Sequence, residues 1–308
     1  MLLQRTIKSP VHAIGIGVHC GAKVAMTLRP AAANTGIRFV RTDLPGHPVV
    51  PAQANRVSDT CLSTSIQEGR AEVATAEHLM SALWGLGVDN LIVELNQREV
   101  PIMDGSAQPY VKLIESVGLK SLDAPKLFMR ITAPIEVRQG DALVKLSPYN
   151  GFRASYTFVA DHPVFNRYPK RLDMVFGGDS YIKQVCGARS FGLVSELEQA
   201  QQIERCLGSN LDNAVGIDDS DILNEGGLRY NDEFVKHKVL DAIGDLYLLG
   251  HQIIGAFEGY KSGHSINNAL AKALLEDADA WEMVTIPTSP ADNAHAVQLA
   301  AALQHTAG

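Results

Sequence analysis

The stretch EFVKHKVLDAIGDLYLL, residues 233–249, is the longest helical pattern in the chain and decides how its second half folds. At about 100° per residue, Val239, Leu240, Ile243, Leu246 and Tyr247 fall on one side, an apolar back to set against a core. His237 and Asp241 stand four residues apart on the other side, and Asp245 continues their stripe one turn on. Spacing of i, i+4 brings two side chains over one another, close enough to share one ion. A polar stripe on such a helix is equally compatible with a solvated face. In a chain with 10 histidines the spacing alone is a weak signal, and a metal site would need a third ligand.

Outward from this helix, strand patterns cover 127–137, 142–146 and 152–159, with helical patterns at 179–186 and 196–205. The first half has strands at 23–28, 37–41 and 90–95 and helices at 75–84 and 109–117. Thr75 is the N-cap expected for the first of these helices, and Gly85 and Gly87 are its expected stop. Residues 119–126 are short and polar with Pro125 near the end, which reads as a connection. The class is therefore α+β in two domains, 1–120 and 127–285, with a linker at 121–126 and a tail at 286–308.

Composition narrows the function. The 308 residues are 46% hydrophobic and 20% charged, which excludes bulk disorder. A net charge of −7 lacks the basic footprint of a nucleic-acid partner. Cys20, Cys61, Cys186 and Cys206 form no C-x-x-C pair, which argues against zinc ribbons, redox motifs and a disulfide scaffold. The opening MLLQRTIKSP has no apolar h-region, and no apolar run approaches about 20 residues. A soluble, cytoplasmic chain without a transmembrane segment is expected.

Two further places carry chemistry. Glu77 and His78 open the 75–84 helix; as a base and a ligand they could converge on an ion beyond its end. Glu77 is equally a first-turn acid complementing the helix dipole, and His78 an ordinary boundary histidine. In YKSGH, residues 260–264, Gly263 permits an unusual turn from which His264 would present its imidazole, although a lone loop histidine is commonly surface. Gly15 and Gly17 lack the third glycine of a dinucleotide fingerprint. No P-loop, G-x-S-x-G or kinase signature occurs.

Taken in order, IGIGVHCG (14–21), AEHL (76–79), VPIMDGSA (100–107), ARSFG (188–192), KHKVLDAIGD (236–245) and KSGH (261–264) resemble the UDP-3-O-acyl-N-acetylglucosamine deacetylase family, the zinc amidohydrolases of lipid A biosynthesis. The resemblance runs from about residue 3 to residue 285. It implies one catalytic Zn²⁺ held by His78, His237 and Asp241 with a fourth position open. Glu77 would be the general base, and His264, paired with Asp245, the general acid. Lys238, Phe191 and Lys261 match substrate-contacting positions. Ser190 stands where many members carry threonine; its hydroxyl still offers a donor to the oxyanion. Residues 192–217, with the 196–205 helix and Leu193, Val194, Leu197, Ile203 and Leu207, match an insert that passes the acyl chain; from the residues alone that helix could equally pack on the core.

The fold the resemblance implies is a two-domain α/β sandwich. Each domain would be a mainly antiparallel sheet on a helix layer, with the active site between them. The implied substrate is UDP-3-O-acyl-N-acetylglucosamine, the products acetate and a free 2-amine, and the expected state a monomer. A zinc hydrolase of another acylated amino sugar, or a non-catalytic sugar-lipid binding protein, are the competing readings. His19 recurs in the family motif without a mechanistic role, and no motif follows Trp281.

Overall fold

The computed structural model describes residues 1–287. The tail read at 286–308 lies outside the described residues from 288 onward.

Residues 11–95 build a five-stranded sheet in the order Val11–Ile16, Lys23–Pro30, Leu91–Leu95, Ile37–Arg41, Val49–Pro51. Its pairings are antiparallel except for the parallel pair Leu91–Leu95 and Ile37–Arg41. Strand side chains alternate faces, so Val24, Met26 and Leu28 are buried while Lys23 and Ala25 are exposed. The helices of this half are α1 (Glu77–Leu86) and α2 (Gln108–Val117).

The helix expected from 75 starts two residues later. Thr75 sits at φ 57° and turns its hydroxyl to Glu99 Oε1 at 3.0 Å, so it caps nothing. Gly85 lies inside α1. The helix stops at Gly87, whose φ of 64° is a left-handed cap that glycine adopts without steric cost.

Residues 127–285 build a seven-stranded sheet. Its main order is Ile135–Gln139, Ala142–Ser147, Gln252–Tyr260, Leu127–Ile131, Trp281–Thr285. Phe152–Thr157 joins Gln252–Tyr260 in parallel, and Arg171–Phe176 pairs antiparallel with Phe152–Thr157. Four helices belong to this half: α3 (Ser180–Gln184), α4 (Val194–Gln202), α5 (Glu233–Tyr247) and α6 (His264–Glu276).

The helix α5 packs along α1, and α6 packs on α5 and on Ile135–Gln139. The approach of α5 to α1 is close at Gly244, where a Cβ would stand 2.0 Å from the Glu77 carbonyl oxygen. Between two layers α5 has no solvated side. Every residue except Lys238 is buried, so the solvent-face reading of its polar stripe fails. Of the two readings of α4, packing on the core fails as well, because none of its side chains is buried.

The polar stretch at 119–126 is no loop. Leu119–Pro125 is a strand, antiparallel to Leu3–Ile7 with Arg5 opposite Ser121 and Ile7 opposite Leu119. Its polarity reflects a two-stranded ribbon with one face in water. The first residues are held from two directions: the Leu2 N–H donates to the Ile286 carbonyl at 2.9 Å, and the Leu2 carbonyl accepts from the Lys126 N–H at 2.8 Å.

Candidate active site and metal centre

The start of α1 delivers Glu77 and His78, the stripe of α5 delivers His237, Asp241 and Asp245, and His264 is the first residue of α6. Asp241 Oδ1 lies 3.4 Å from both His78 Nε2 and His237 Nε2. One potential ligand atom from each residue falls within 4.8 Å of the others, and all three residues are buried. The Ala188 carbonyl, 3.0 Å from His237 Nδ1, can only accept, so the proton sits on Nδ1 and the Nε2 lone pair faces the cluster.

Burial depresses His237 to about 4 against the pull of Asp241, so the ring is neutral at pH 7. Burial alone would raise the Asp241 carboxyl, but His237 and the Lys238 ammonium outweigh it and hold the group well below the usual carboxylate range. Asp241 Oδ2 accepts from Lys238 Nζ at 2.8 Å, while Oδ1 is buried without a hydrogen bond. An anionic oxygen left so is costly unless a cation meets it. Two imidazole nitrogens and one carboxylate oxygen converging in a buried space fit a metal ion.

Beside this cluster stands a second set. Burial pushes the Glu77 carboxyl up, partly countered by His264 and His78. Glu77 Oε2 accepts from the Thr64 N–H at 3.0 Å, and Oε1 faces His264 Nε2 at 3.7 Å. His264 Nδ1 lies 2.9 Å from Asp245 Oδ2 and 3.2 Å from Oδ1. Burial would lower its pKa, but Asp245 and Glu77 together outweigh burial and raise it to about 9. The ring is thus an imidazolium at neutral pH. Asp245 also accepts from Thr64 Oγ1 at 2.6 Å and Asn267 Nδ2 at 2.9 Å.

His264 is presented by a helix start, not by a loop. Gly263 before it is extended at φ −151°, and the left-handed residue of the segment is Lys261 at φ 52°. Lys261 is exposed with Nζ 2.7 Å from Asp141 Oδ2, so its ammonium is engaged away from the cluster. Lys238 remains an ammonium: burial opposes its charge, but Asp241 and Tyr156 outweigh that and raise its pKa.

Phe191 meets the His237 ring edge-on at 5.9 Å and joins an aromatic cluster with Phe158, Phe165 and Phe234. Ser190 is fixed by its backbone, donating to the Gly105 carbonyl and accepting from the Val215 N–H, each at 2.7 Å. It lies two residues beyond the carbonyl that orients His237.

Two site residues escaped the sequence reading. Asn267 lies three residues after His264 on one helix face, a spacing that could have disclosed it. Thr64, which touches both carboxylates, carries no such signal. His19, without a role in the sequence, is buried; its N–H donates to Glu99 Oε1 at 2.9 Å and its Nε2 has no partner.

The chain matches, over residues 4–276, the family described as LpxC: UDP-3-O-acyl N-acetylglycosamine deacetylase. It is 51% identical over 285 residues to the UDP-3-O-acyl-N-acetylglucosamine deacetylase of Coxiella burnetii (strain RSA 493 / Nine Mile phase I), covering 92% of this chain and 94% of the relative. The protein of the same name from Methylococcus capsulatus is 49% identical over 285 residues, with coverage of 92% and 94%. That from Legionella pneumophila (strain Corby) is 49% identical over 288 residues, with coverage of 94% and 95%. With His78 from α1 and His237 and Asp241 from α5 brought together, and relatives this similar along almost the whole length, the chain belongs to the UDP-3-O-acyl-N-acetylglucosamine deacetylase family.

Proposed function

We propose that this chain hydrolyses the N-acetyl group of UDP-3-O-acyl-N-acetylglucosamine, releasing acetate and a free 2-amine for lipid A biosynthesis. The observation that carries the reading is the pairing of a buried His78–His237–Asp241 cluster with a carboxylate, Glu77, and an imidazolium, His264, beside it.

His78, His237 and Asp241 are the residues to hold one zinc ion, which when bound supplies Lewis-acid polarisation of the acetamide carbonyl and acidifies water. Glu77 Oε1 takes the proton of the attacking water; burial, which raises its proton affinity, makes it a stronger base. The Ser190 hydroxyl donates to the developing oxyanion. His264 gives the Nε2 proton to the departing amine while Asp245 holds its Nδ1–H. Base and acid stand 3.7 Å apart, and their mutual attraction favours a carboxylate beside an imidazolium. Lys238 and Phe191 contact the substrate; for Lys261 to do so it must leave Asp141.

The partly or fully exposed Leu193, Val194, Ile203 and Leu207 around α4 support a passage for the acyl chain within 192–217. The two sheets, with α1 and α5 back to back, support a sandwich of domains 1–120 and 127–285 with the site between them. No helix among the described residues is long and apolar enough to cross a membrane. A cytoplasmic monomer is the working state.

The test is metal content by plasma mass spectrometry alongside acetate release, for wild type and Asp241→Ala. About one zinc per chain, lost together with activity in the variant, is the expected result; metal-free wild type that still turns over would overturn the zinc assignment.

A further inference from the structure

We infer that Thr64 is the positioning residue that sets the catalytic base and the partner of the catalytic acid relative to one another, an inference that rests on the roles of Glu77, Asp245 and His264 proposed above. Thr64 is fully buried just before the strand Ser65–Glu68. All three of its hydrogen-bonding groups are spent on the site. Its N–H donates to Glu77 Oε2 at 3.0 Å, its hydroxyl donates to Asp245 Oδ1 at 2.6 Å, and its carbonyl accepts from the N–H of Ala76, the residue that caps α1, at 3.1 Å.

The consequences are geometric. Once Thr64 occupies Oε2, Oε1 is the oxygen of Glu77 that faces His264. Thr64 and Asn267 take one Asp245 oxygen each, leaving the carboxylate fixed in rotation with His264 Nδ1 against it. His264 is then held with Nε2 toward the base. Without the hydroxyl, Asp245 keeps Asn267 and His264 on Oδ2 but loses the tether on Oδ1, so its terminal torsion, a broad and soft rotation, is less tightly held. The loss falls on the alignment of the proton donor, so turnover suffers rather than substrate binding.

Thr64→Val removes the hydroxyl at nearly constant volume and keeps the backbone N–H; Thr64→Ser restores the hydroxyl. The expected result for Thr64→Val is a fall in kcat of about 10-fold or more with KM changed less than about threefold and zinc content retained. Thr64→Ser should return to within about threefold of wild type. In the background of Asp245→Asn, adding Thr64→Val should cost less than about twofold, because the hydroxyl acts through Asp245.

A Thr64→Val enzyme that matches wild type, or a cost that multiplies in full with that of Asp245→Asn, overturns the inference. So does a Thr64→Ser variant as impaired as Thr64→Val, which also decides the matter if Thr64→Val fails to fold. If Asp245→Asn alone leaves turnover unchanged, it is the acid assignment itself that falls.

Discussion

Asp241 shows how one carboxylate serves two masters: Oδ2 is neutralised by the Lys238 ammonium, while Oδ1 is left for the imidazole pair. Asp245, one turn on, has a different office, raising the proton affinity of His264. His264 is held to about 9, above its ordinary value of about 6.5, so at neutral pH it carries the proton that its proposed role as acid requires. The active form is the protonated one, and activity should therefore fall as pH rises through that value. Replacing Asp245 with Asn removes the larger of the two attractions and leaves burial, which acts the other way. The basic limb of the kcat/KM profile should move to lower pH and kcat at pH 8 should drop by at least tenfold; a basic limb that stays in place would separate Asp245 from the acid. The residue types and spacings of this set were legible in the letters: H-x3-D, the adjacent Glu77–His78, and K-S-G-H. Their assembly was not, since Thr64 stands 181 positions before its Asp245 partner with nothing local to mark it.

At the scale of elements, the register of α1 on α5 decides whether those side chains meet. Gly244 sits where the two backbones come closest, and a methyl group there would meet the Glu77 carbonyl at 2.0 Å, an atom that cannot swing aside as a side-chain tip could. Gly244→Ala should destabilise the fold by about 1–3 kcal/mol, as overpacking generally does. It should also lower kcat by displacing Glu77, so urea unfolding and turnover should fall together. Normal turnover in a folded Gly244→Ala enzyme would show that the helix pair can slide without harm. Periodicity disclosed α5 well, including its apolar back. It could not show that the polar stripe is buried, because burial there comes from α1, some 150 residues away in sequence. That Leu119–Pro125 is a strand is hidden from the local sequence for a related reason: its partner is Leu3–Ile7, and a polar ribbon edge has the composition of a connection.

At the scale of the molecule, the proposed metal ligands come from helices that belong to different halves, His78 from the first and His237 and Asp241 from the second. An ion shared between them acts as a cross-link specific to the folded state and stabilises it by mass action, by about 2.7 kcal/mol at 100 times its dissociation constant. Chelation should lower the melting temperature of the wild type by several degrees, restored by zinc, and Asp241→Ala should melt alike with and without chelator. A wild type indifferent to chelation would mean that the cluster holds no structural tie. The α+β class and the rough division of strands could be read from the chain; the order of strands could not, because it depends on pairings between distant segments. One such pairing reaches beyond stability. The second residue waits for partners at positions 126 and 286. During synthesis Lys126 is made 160 positions before Ile286, so Leu2 can be tied to the first partner early and to the second only after the strand Trp281–Thr285 has been made.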